Sequence, residues 1–304
     1  MEKQQEEVQN LKIQRDLKKL QNKDRANQKH LINLQLFKTK TYYNEQQDIK
    51  DQQQYYSDFL SQKKHLNYEN LNFLVSSTYK HAKRRENIFS LIDRQQDGTL
   101  QCLYTKKILE DIQGNKIMKC DEEHCVPQSY QAGTRKGCGK DMHQIFACEK
   151  HANGSRGNKP FGKGVFQDTN LNVKYYIQES ESGFVYEYSK KMNENVKLNE
   201  IQEAQKKIKT FYPKNNVGAC ARATLYILIC YSESMNELKF PKNLIPKIID
   251  LACNEPVTIW EKHRNQILFE LQGNRNPFID FPDWAKKIDF FNGFQNLKEI
   301  KTLH

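Results

Sequence analysis

The sequence predicts an α+β protein in which helices surround a middle segment of short strands, and three observations support this fold class. The 304-residue chain has no glycine before Gly98 and no proline before Pro127, so its first third lacks the strongest helix breakers. Residues 102–164 are rich in Gly, Cys, His and Asn, which favours loops and short strands. Beyond residue 220, apolar residues return at helical spacing.

The N-terminal segment, residues 1–66, is rich in Gln and Lys and has scattered leucines that keep only a broken heptad phase. This pattern predicts a solvated helix or a loose coiled coil. A partly disordered extension is an equal alternative, because Gln and Lys tolerate a helix without supplying a buried stripe. The segment is also a candidate for self-association or for binding a protein partner.

Denser apolar spacing begins near residue 66 and predicts a globular domain over residues 67–304. Within it, residues 175–177 and 184–186 are expected to form two strands around a Glu-Ser-Glu-Ser-Gly turn. Three further helices are predicted, at residues 221–231, 244–253 and 260–271.

Composition and charge restrict the classes of function. A hydrophobic fraction of 37% is enough for a buried core, and the net charge of +11 favours a polyanionic partner such as nucleic acid. Apolar runs such as residues 225–230 are far shorter than the roughly 20 residues that cross a bilayer, so no membrane span is expected. The polar N-terminus lacks the pattern of a secretory signal, which predicts an intracellular protein. The eight cysteines are unevenly spaced, so free thiols are expected.

Four short segments in the middle of the chain carry residues suited to phosphodiester hydrolysis. They are Asp-Glu-Glu-His-Cys-Val-Pro-Gln-Ser at 121–129, Gly-Thr-Arg-Lys-Gly-Cys at 133–138, Asp-Met-His at 141–143 and Asn-Gly-Ser-Arg-Gly-Asn-Lys-Pro-Phe-Gly at 153–162. Such hydrolysis needs an activated water, an electrophile that neutralises charge on phosphorus, and help for the leaving oxygen.

Individual residues in these segments can fill those roles. An adjacent Glu and His on a short strand point to opposite faces or are splayed by a kink, so Glu123 could bind a metal while His124 faces the water. The amide oxygen of Asn153 suits a hard cation such as Mg²⁺, which keeps several waters and takes few protein ligands. Arg135 is a candidate for stabilising the developing negative charge.

Together these motifs resemble the endonuclease I family of His-Me finger, or ββα-metal, nucleases. The resemblance rests on Glu-His-x-x-Pro-x-Ser, Asp-x-His and Asn-x-x-Arg-Gly-Asn in this order, and further matches extend it over about residues 70–285. It implies a ββα-metal core surrounded by helices. It also implies an endonuclease that hydrolyses DNA, and RNA as a second substrate, with little sequence specificity.

The resemblance also implies roles for individual residues. His124 corresponds to the general base, Glu123 and Asn153 to the ligands of one Mg²⁺ ion, and Arg135 to the arginine beside the scissile phosphate. Asp141 and His143 fall in a segment expected to orient the site. Three further basic residues are expected to contact the phosphate backbone without base readout: Arg156, Lys159 and Lys163.

Three features depart from the family pattern or invite another interpretation. Family members commonly carry an aromatic or branched residue where this chain has Cys125, and they are often secreted. Soft ligands also occur at a spacing that would allow a structural zinc site: Cys120, Cys125, Cys138, Cys148 and His151.

A function from a different class is a catalytically silent nuclease fold. It would act as a nucleic-acid-binding or scaffold subunit recruited through residues 1–66. The joint presence of Glu123, His124, Arg135 and Asn153 argues against this alternative, because binding alone does not require all four.

Overall fold

The computed structural model describes residues 2–82, 87–130, 138–162, 173–190, 209–231 and 244–291, and its mixture of helices and small sheets agrees with the α+β class. The helices are α1 (Glu2–Thr39), α2 (Glu45–Tyr55), α3 (Ser57–Leu60), α4 (Tyr68–Ser77), α5 (Lys150–Arg156), α6 (Val217–Cys230), α7 (Ile245–Asn254), α8 (Ile259–Gln272) and α9 (Pro277–Asp280). The strands are β1 (Leu100–Gln101), β2 (Ile108–Glu110), β3 (Cys120–His124), β4 (Ile145–Glu149), β5 (Val173–Glu179), β6 (Gly183–Lys190) and β7 (Lys209–Pro213).

The strands form three antiparallel sheets, β1-β2, β3-β4 and β5-β6-β7. In the middle sheet His124 pairs with Ile145 and Cys120 pairs with Glu149, which is the last residue of β4. Helix α5 begins at the next residue, so two antiparallel strands lead directly into a short helix. The predicted strands around residues 175–177 and 184–186 are confirmed as β5 and β6.

The C-terminal half supplies most of the helical core. Residues Gly218–Cys230 of α6 are all buried, and the Tyr68 hydroxyl of α4 donates a hydrogen bond to the Leu228 carbonyl at 2.6 Å. Helix α8 begins with a capping box formed by Thr258 and Glu261, a pairing that satisfies backbone groups at a helix start. The three helices predicted in this half are confirmed as α6, α7 and α8.

The N-terminal segment contains the helices α1, α2 and α3, and its second half packs on the rest of the molecule. On α1, Leu34 is buried and the Asn33 amide donates a hydrogen bond to the Ser90 hydroxyl at 3.0 Å. The Tyr42 ring stacks on His263 with 4.1 Å between ring centroids, and Tyr56 lies in the main core. Packing therefore starts well before the change in sequence texture near residue 66. No helix in the part of the chain that the structure describes is long and apolar enough to cross a bilayer.

Candidate active site

A cleft of about 350 Å³ lies between the end of β3 and helix α5. It is lined by Asp121, Glu122, Glu123, His124, Pro127, Gln128, Asn153, Arg156, Gly157 and Asn158. The cleft exists because β4 pairs with β3 and passes directly into α5, which folds Asn153 back beside the strand. Three of the predicted site residues, Glu123, His124 and Asn153, are thus brought together.

His124 is half-buried at the end of β3, and its ring is oriented by a backbone carbonyl. Its Nε2 lies 3.2 Å from the Gly139 carbonyl oxygen. A carbonyl can only accept a hydrogen bond, so this contact favours the tautomer that carries the proton on Nε2. The Gln128 side-chain nitrogen is also 3.2 Å from Nε2, and exchanging the oxygen and nitrogen of that amide makes it a second acceptor for the same proton.

The amide of Asn153 is oriented by the backbone and an acidic side chain of β3. Its Nδ2 lies 3.4 Å from the Asp121 Oδ2 and 3.5 Å from the Glu122 carbonyl oxygen. Both neighbours are acceptors, which fixes the nitrogen on that side of the amide and makes Oδ1 the atom that can bind a cation. Asp121 and Glu122 are half-buried and add further oxygen atoms to the cleft.

Glu123 lies on the face of β3 opposite to His124 and is only 1% exposed, although it still lines the cleft. Its Oε1 accepts hydrogen bonds from the Tyr104 hydroxyl at 2.5 Å and from the Arg156 Nη1 at 2.7 Å. Burial raises the pKa of Glu123, and the Arg156 guanidinium opposes that rise. Both donors end on the same oxygen, so a cation would bind at Oε2.

Arg156 does not occupy the position expected for a residue that contacts the phosphate backbone. Its side chain is 1% exposed, and besides Glu123 its guanidinium donates to the carbonyl oxygens of His124 at 2.7 Å, Cys125 at 2.5 Å and Lys159 at 2.8 Å. A guanidinium engaged in this way holds the end of β3 to the end of α5 and is not accessible to a nucleic acid. The prediction for Arg156 is therefore corrected to an anchoring role.

Lys159 is half-buried next to this anchor. Its ammonium group donates to the carbonyl oxygens of Ser155 at 3.0 Å and Arg156 at 3.2 Å, near the mouth of the cleft. Burial lowers the pKa of Lys159, and nearby positive charge on Lys209 and Arg156 lowers it further. Two predicted site residues, Arg135 and Lys163, lie outside the described residues.

Asp141 and His143 are buried behind the cleft in a hydrogen-bond network. The Asp141 carboxylate accepts from the His143 backbone N–H at 2.9 Å, from Gln272 at 2.9 Å, and from the hydroxyls of Tyr226 at 2.5 Å and Tyr231 at 2.8 Å. This network fixes the turn that begins at residue 138, which contains the Gly139 carbonyl.

His143 and Gln144 extend the same support. The His143 Nε2 lies 3.2 Å from the Asn274 carbonyl, and burial lowers the pKa of His143 although Asp141 opposes the shift. The Gln144 side-chain amide donates a hydrogen bond to the Cys138 carbonyl oxygen. The backbone carbonyl of Gln144 accepts a hydrogen bond from the Cys125 N–H at 3.0 Å. The turn and the end of β3 are thereby joined.

The donor atoms of the cleft suit a hard cation better than zinc. Carboxylate and amide oxygens are the ligands of Mg²⁺, which needs only one or two of them from the protein. Across the described residues, no group of three or more His, Cys, Asp or Glu side chains could hold a metal ion. The zinc alternative fails because its candidate ligands have other neighbours and do not converge on one point. The Cys148 Sγ is 3.6 Å from the Cys102 Sγ, the Cys138 Sγ is 3.5 Å from the Gln144 Nε2, and His151 is exposed on α5.

Several residues of this site were not assigned a role from the sequence. Gly139 acts through its carbonyl, so its side chain carries no signal. Tyr104 is distant in sequence from Glu123, and only the folded chain shows their contact. Asp121 and Glu122 stand beside the motif, and the acidic run at 121–123 was the one available signal for them.

Comparison with known proteins places the chain in a nuclease family. The family described as Endonuclease I matches residues 18–283, and the chain belongs to it. The match confirms the resemblance found in the motifs and begins about 50 residues earlier, in α1, than that resemblance suggested.

Curated relatives are similar to part of the chain. An extracellular ribonuclease of Bacillus subtilis (strain 168) is 25% identical over 213 residues, covering 64% of this chain and 63% of the relative. An extracellular ribonuclease of Bacillus amyloliquefaciens is 26% identical over 191 residues, covering 58% and 55%. A periplasmic deoxyribonuclease of Aeromonas hydrophila is 29% identical over 188 residues, covering 55% and 66%. The chain thus spans less than two thirds of the length of each of these relatives.

Proposed function

We propose that this protein is a Mg²⁺-dependent endonuclease that hydrolyses phosphodiester bonds of DNA with little sequence specificity, and of RNA as a second substrate. The observation that carries the proposal is the placement of His124, whose Nε2 is held by the Gly139 carbonyl at 3.2 Å beside a cleft rich in oxygen donors. Membership of the Endonuclease I family and relatives named as ribonucleases and deoxyribonucleases support it.

The chemistry assigned to His124 follows from its tautomer. With the proton on Nε2, the Nδ1 lone pair can accept a proton from a water molecule as that water attacks phosphorus. The Gly139 carbonyl then stabilises the imidazolium, because it accepts a hydrogen bond from the charged ring. His124 is thus the general base of the proposed reaction. The order β3, β4, α5 with His124 on the first strand and Asn153 on the helix supports a ββα-metal core.

Glu123 and Asn153 would hold the Mg²⁺ ion, through Oε2 and Oδ1 respectively. When bound there, the ion would neutralise charge on the phosphate and assist the leaving oxygen. The anchored positions of the two side chains favour this role. Arg156 and Tyr104 hold the Glu123 carboxylate through its other oxygen, and Asp121 holds the Asn153 amide through its nitrogen.

The remaining assignments are parts of the same proposal. Arg135 and Lys163 would contact the phosphate groups, and Lys159 would add positive charge at the mouth of the cleft. Asp141 and His143 would act as positioning residues through the turn that contains Gly139.

The test is cleavage of supercoiled plasmid, single-stranded DNA and RNA by the purified full-length chain, with Mg²⁺ or with EDTA. We expect nicked and linear plasmid with Mg²⁺, no cleavage with EDTA, and at least tenfold weaker Mg²⁺-supported cleavage by Asn153→Ala. His151→Ala is the matched control on the same helix and should cleave normally. Binding of nucleic acid without turnover at any metal concentration would contradict the proposal and favour the scaffold alternative.

A further inference from the structure

Two buried cysteines lie next to each other behind the candidate active site. The Sγ atoms of Cys102 and Cys148 are 3.6 Å apart, and the two residues are 1% and 0% exposed. Cys148 belongs to β4, the partner of the strand that carries His124, while Cys102 begins the connection between β1 and β2. Both are free thiols in this structure.

The backbone around the pair holds the two sulfur atoms together. The Leu103 N–H donates to the Ala147 carbonyl at 3.0 Å, and the Glu149 N–H points at the Cys102 Sγ at 3.3 Å. The residues flanking each cysteine are therefore in contact. A disulfide needs the sulfur atoms at about 2.05 Å, so they would have to approach each other by roughly 1.5 Å.

The contact between the two sulfur atoms also shifts their pKa values in the folded chain. The contact with Cys148 lowers the pKa of Cys102 to about 5, against the effect of burial, and the Glu149 N–H lowers it further. The pKa of Cys148 is raised, mainly by the contact with Cys102 and also by burial.

We propose that Cys102 and Cys148 form a structural disulfide when the chain folds in the presence of a small-molecule disulfide such as oxidised glutathione. The thiolate of one of the two cysteines attacks one sulfur of the oxidant, which forms a mixed disulfide and releases one glutathione thiolate. The other cysteine loses its proton to solvent, and its thiolate attacks the protein sulfur of the mixed disulfide and releases the second glutathione thiolate. Two protein thiols are oxidised, one disulfide of the oxidant is reduced to two thiols, and one Cys102–Cys148 bond forms.

The burial of both sulfur atoms determines when the reaction takes place. An oxidant reaches them during folding, before the β1-β2 hairpin closes over β4, and the finished bond is then protected from reductants. The bond would close a loop of about 47 residues, which restricts the unfolded chain and ties the hairpin to the β3-β4 sheet. Nearby Tyr104, which donates to Glu123, would be held by the same tie.

The test is to refold the full-length chain in a buffer of reduced and oxidised glutathione, block remaining thiols by alkylation, and identify linked peptides by mass spectrometry. We expect the peptide with Cys102 to be linked to the peptide with Cys148. We also expect a reductant to lower the Tm of the oxidised protein by roughly 5–10 °C. Cys102→Ser should lose both the linked peptide and the effect of the reductant on Tm.

Cys120→Ser is the matched control, because Cys120 lies on β3 opposite Glu149 and is the neighbouring thiol most able to compete. That variant should keep the linked peptide. Alkylation of both Cys102 and Cys148 in the refolded protein, or a link from Cys102 to Cys120, would overturn the proposal. The same peptide analysis can be made on full-length protein secreted into an oxidising compartment, which does not depend on refolding. A link from Cys102 to Cys148 would support the proposal there, and alkylation of both cysteines would overturn it.

Discussion

The two faces of strand β3 carry adjacent ionisable residues in opposite environments. His124 is half-buried at the cleft, and its Nε2 contacts the Gly139 carbonyl. Glu123 is 1% exposed and its carboxylate is bound by Tyr104 and Arg156. Successive side chains of a strand point to opposite faces, so one short element carries both the proposed general base and a buried carboxylate.

The difference shows how the side chain proposed as the base can be positioned without being enclosed. Arg156 binds not only Glu123 but also the carbonyl oxygen of His124 itself, at 2.7 Å. The buried face therefore fixes the backbone from which the His124 ring projects. If this account holds, removing the guanidinium that binds the buried face should lower stability, and substitution of His124 should lower activity alone.

The largest expected loss of stability follows from removing the buried cation. In Arg156→Met, the Glu123 carboxylate stays buried without its ion-pair partner, and the free energy of unfolding should fall by about 3–5 kcal/mol. Urea denaturation of the purified variants measures this. Lys159→Met is the matched control, since its half-buried ammonium donates to the Ser155 and Arg156 carbonyl oxygens, and it should change the free energy by less than about 1 kcal/mol. If Arg156→Met lowers the free energy of unfolding no more than the control does, the anchoring role of Arg156 is contradicted.

A smaller effect is expected in the support behind the His124 ring. Tyr226 and Tyr231 both donate hydrogen bonds to the Asp141 carboxylate, but Tyr226 is fully buried and Tyr231 is partly exposed. Tyr226→Phe should lower the free energy of unfolding by about 1.5–3 kcal/mol, because a buried hydrogen bond to a charged group is lost. Tyr231→Phe should lower the free energy of unfolding by less, since water can donate the hydrogen bond that the Tyr231 hydroxyl gives to Asp141. Equal losses in the free energy of unfolding for the two variants, measured by urea denaturation, would contradict the view that burial makes the Tyr226–Asp141 hydrogen bond the stronger of the two.

The smallest effect concerns pH. Burial lowers the pKa of His143, so the folded protein keeps this residue neutral at a pH where the unfolded chain, with an ordinary pKa near 6.5, binds a proton. The unfolded state then holds more protons, and stability falls as pH falls through about 6.5, by at most about 1.4 kcal/mol per pH unit for this residue.

Urea titrations between pH 7.5 and 5.5, within about one unit of that ordinary pKa, measure this slope. His143→Gln should reduce the slope by the share of this residue, and His263, whose pKa burial also lowers, should keep its own share. An unchanged slope in His143→Gln would show that His143 does not stay neutral in the fold.

Sequence motifs could indicate that Glu123, His124 and Asn153 lie near one another, because their relation is local. Two strands and a following helix are encoded within about 35 residues, and the motif places Glu123, His124 and Asn153 within that span. It could not predict the burial of Arg156, because an arginine in a polar, glycine-containing motif reads as a surface residue until its partner Glu123 is seen across the fold.

The packing of the N-terminal segment was hidden for a different reason. Its few core contacts, such as Leu34 and Tyr56, are separated by long runs of Gln and Lys, so hydrophobic periodicity is too weak to show a buried face. The Gly139 carbonyl had no sequence signal, because backbone groups are the same at every position.

The most direct test measures activity and stability together in His124→Ala. We predict that kcat/KM on plasmid DNA with Mg²⁺ falls by about 10²–10⁴-fold, the range typical for loss of a general base, while Tm stays within about 2 °C of the wild type. His151→Ala should match the wild type in both measurements. Retention of kcat/KM within tenfold by a folded His124→Ala protein would contradict the assignment of His124 as the base.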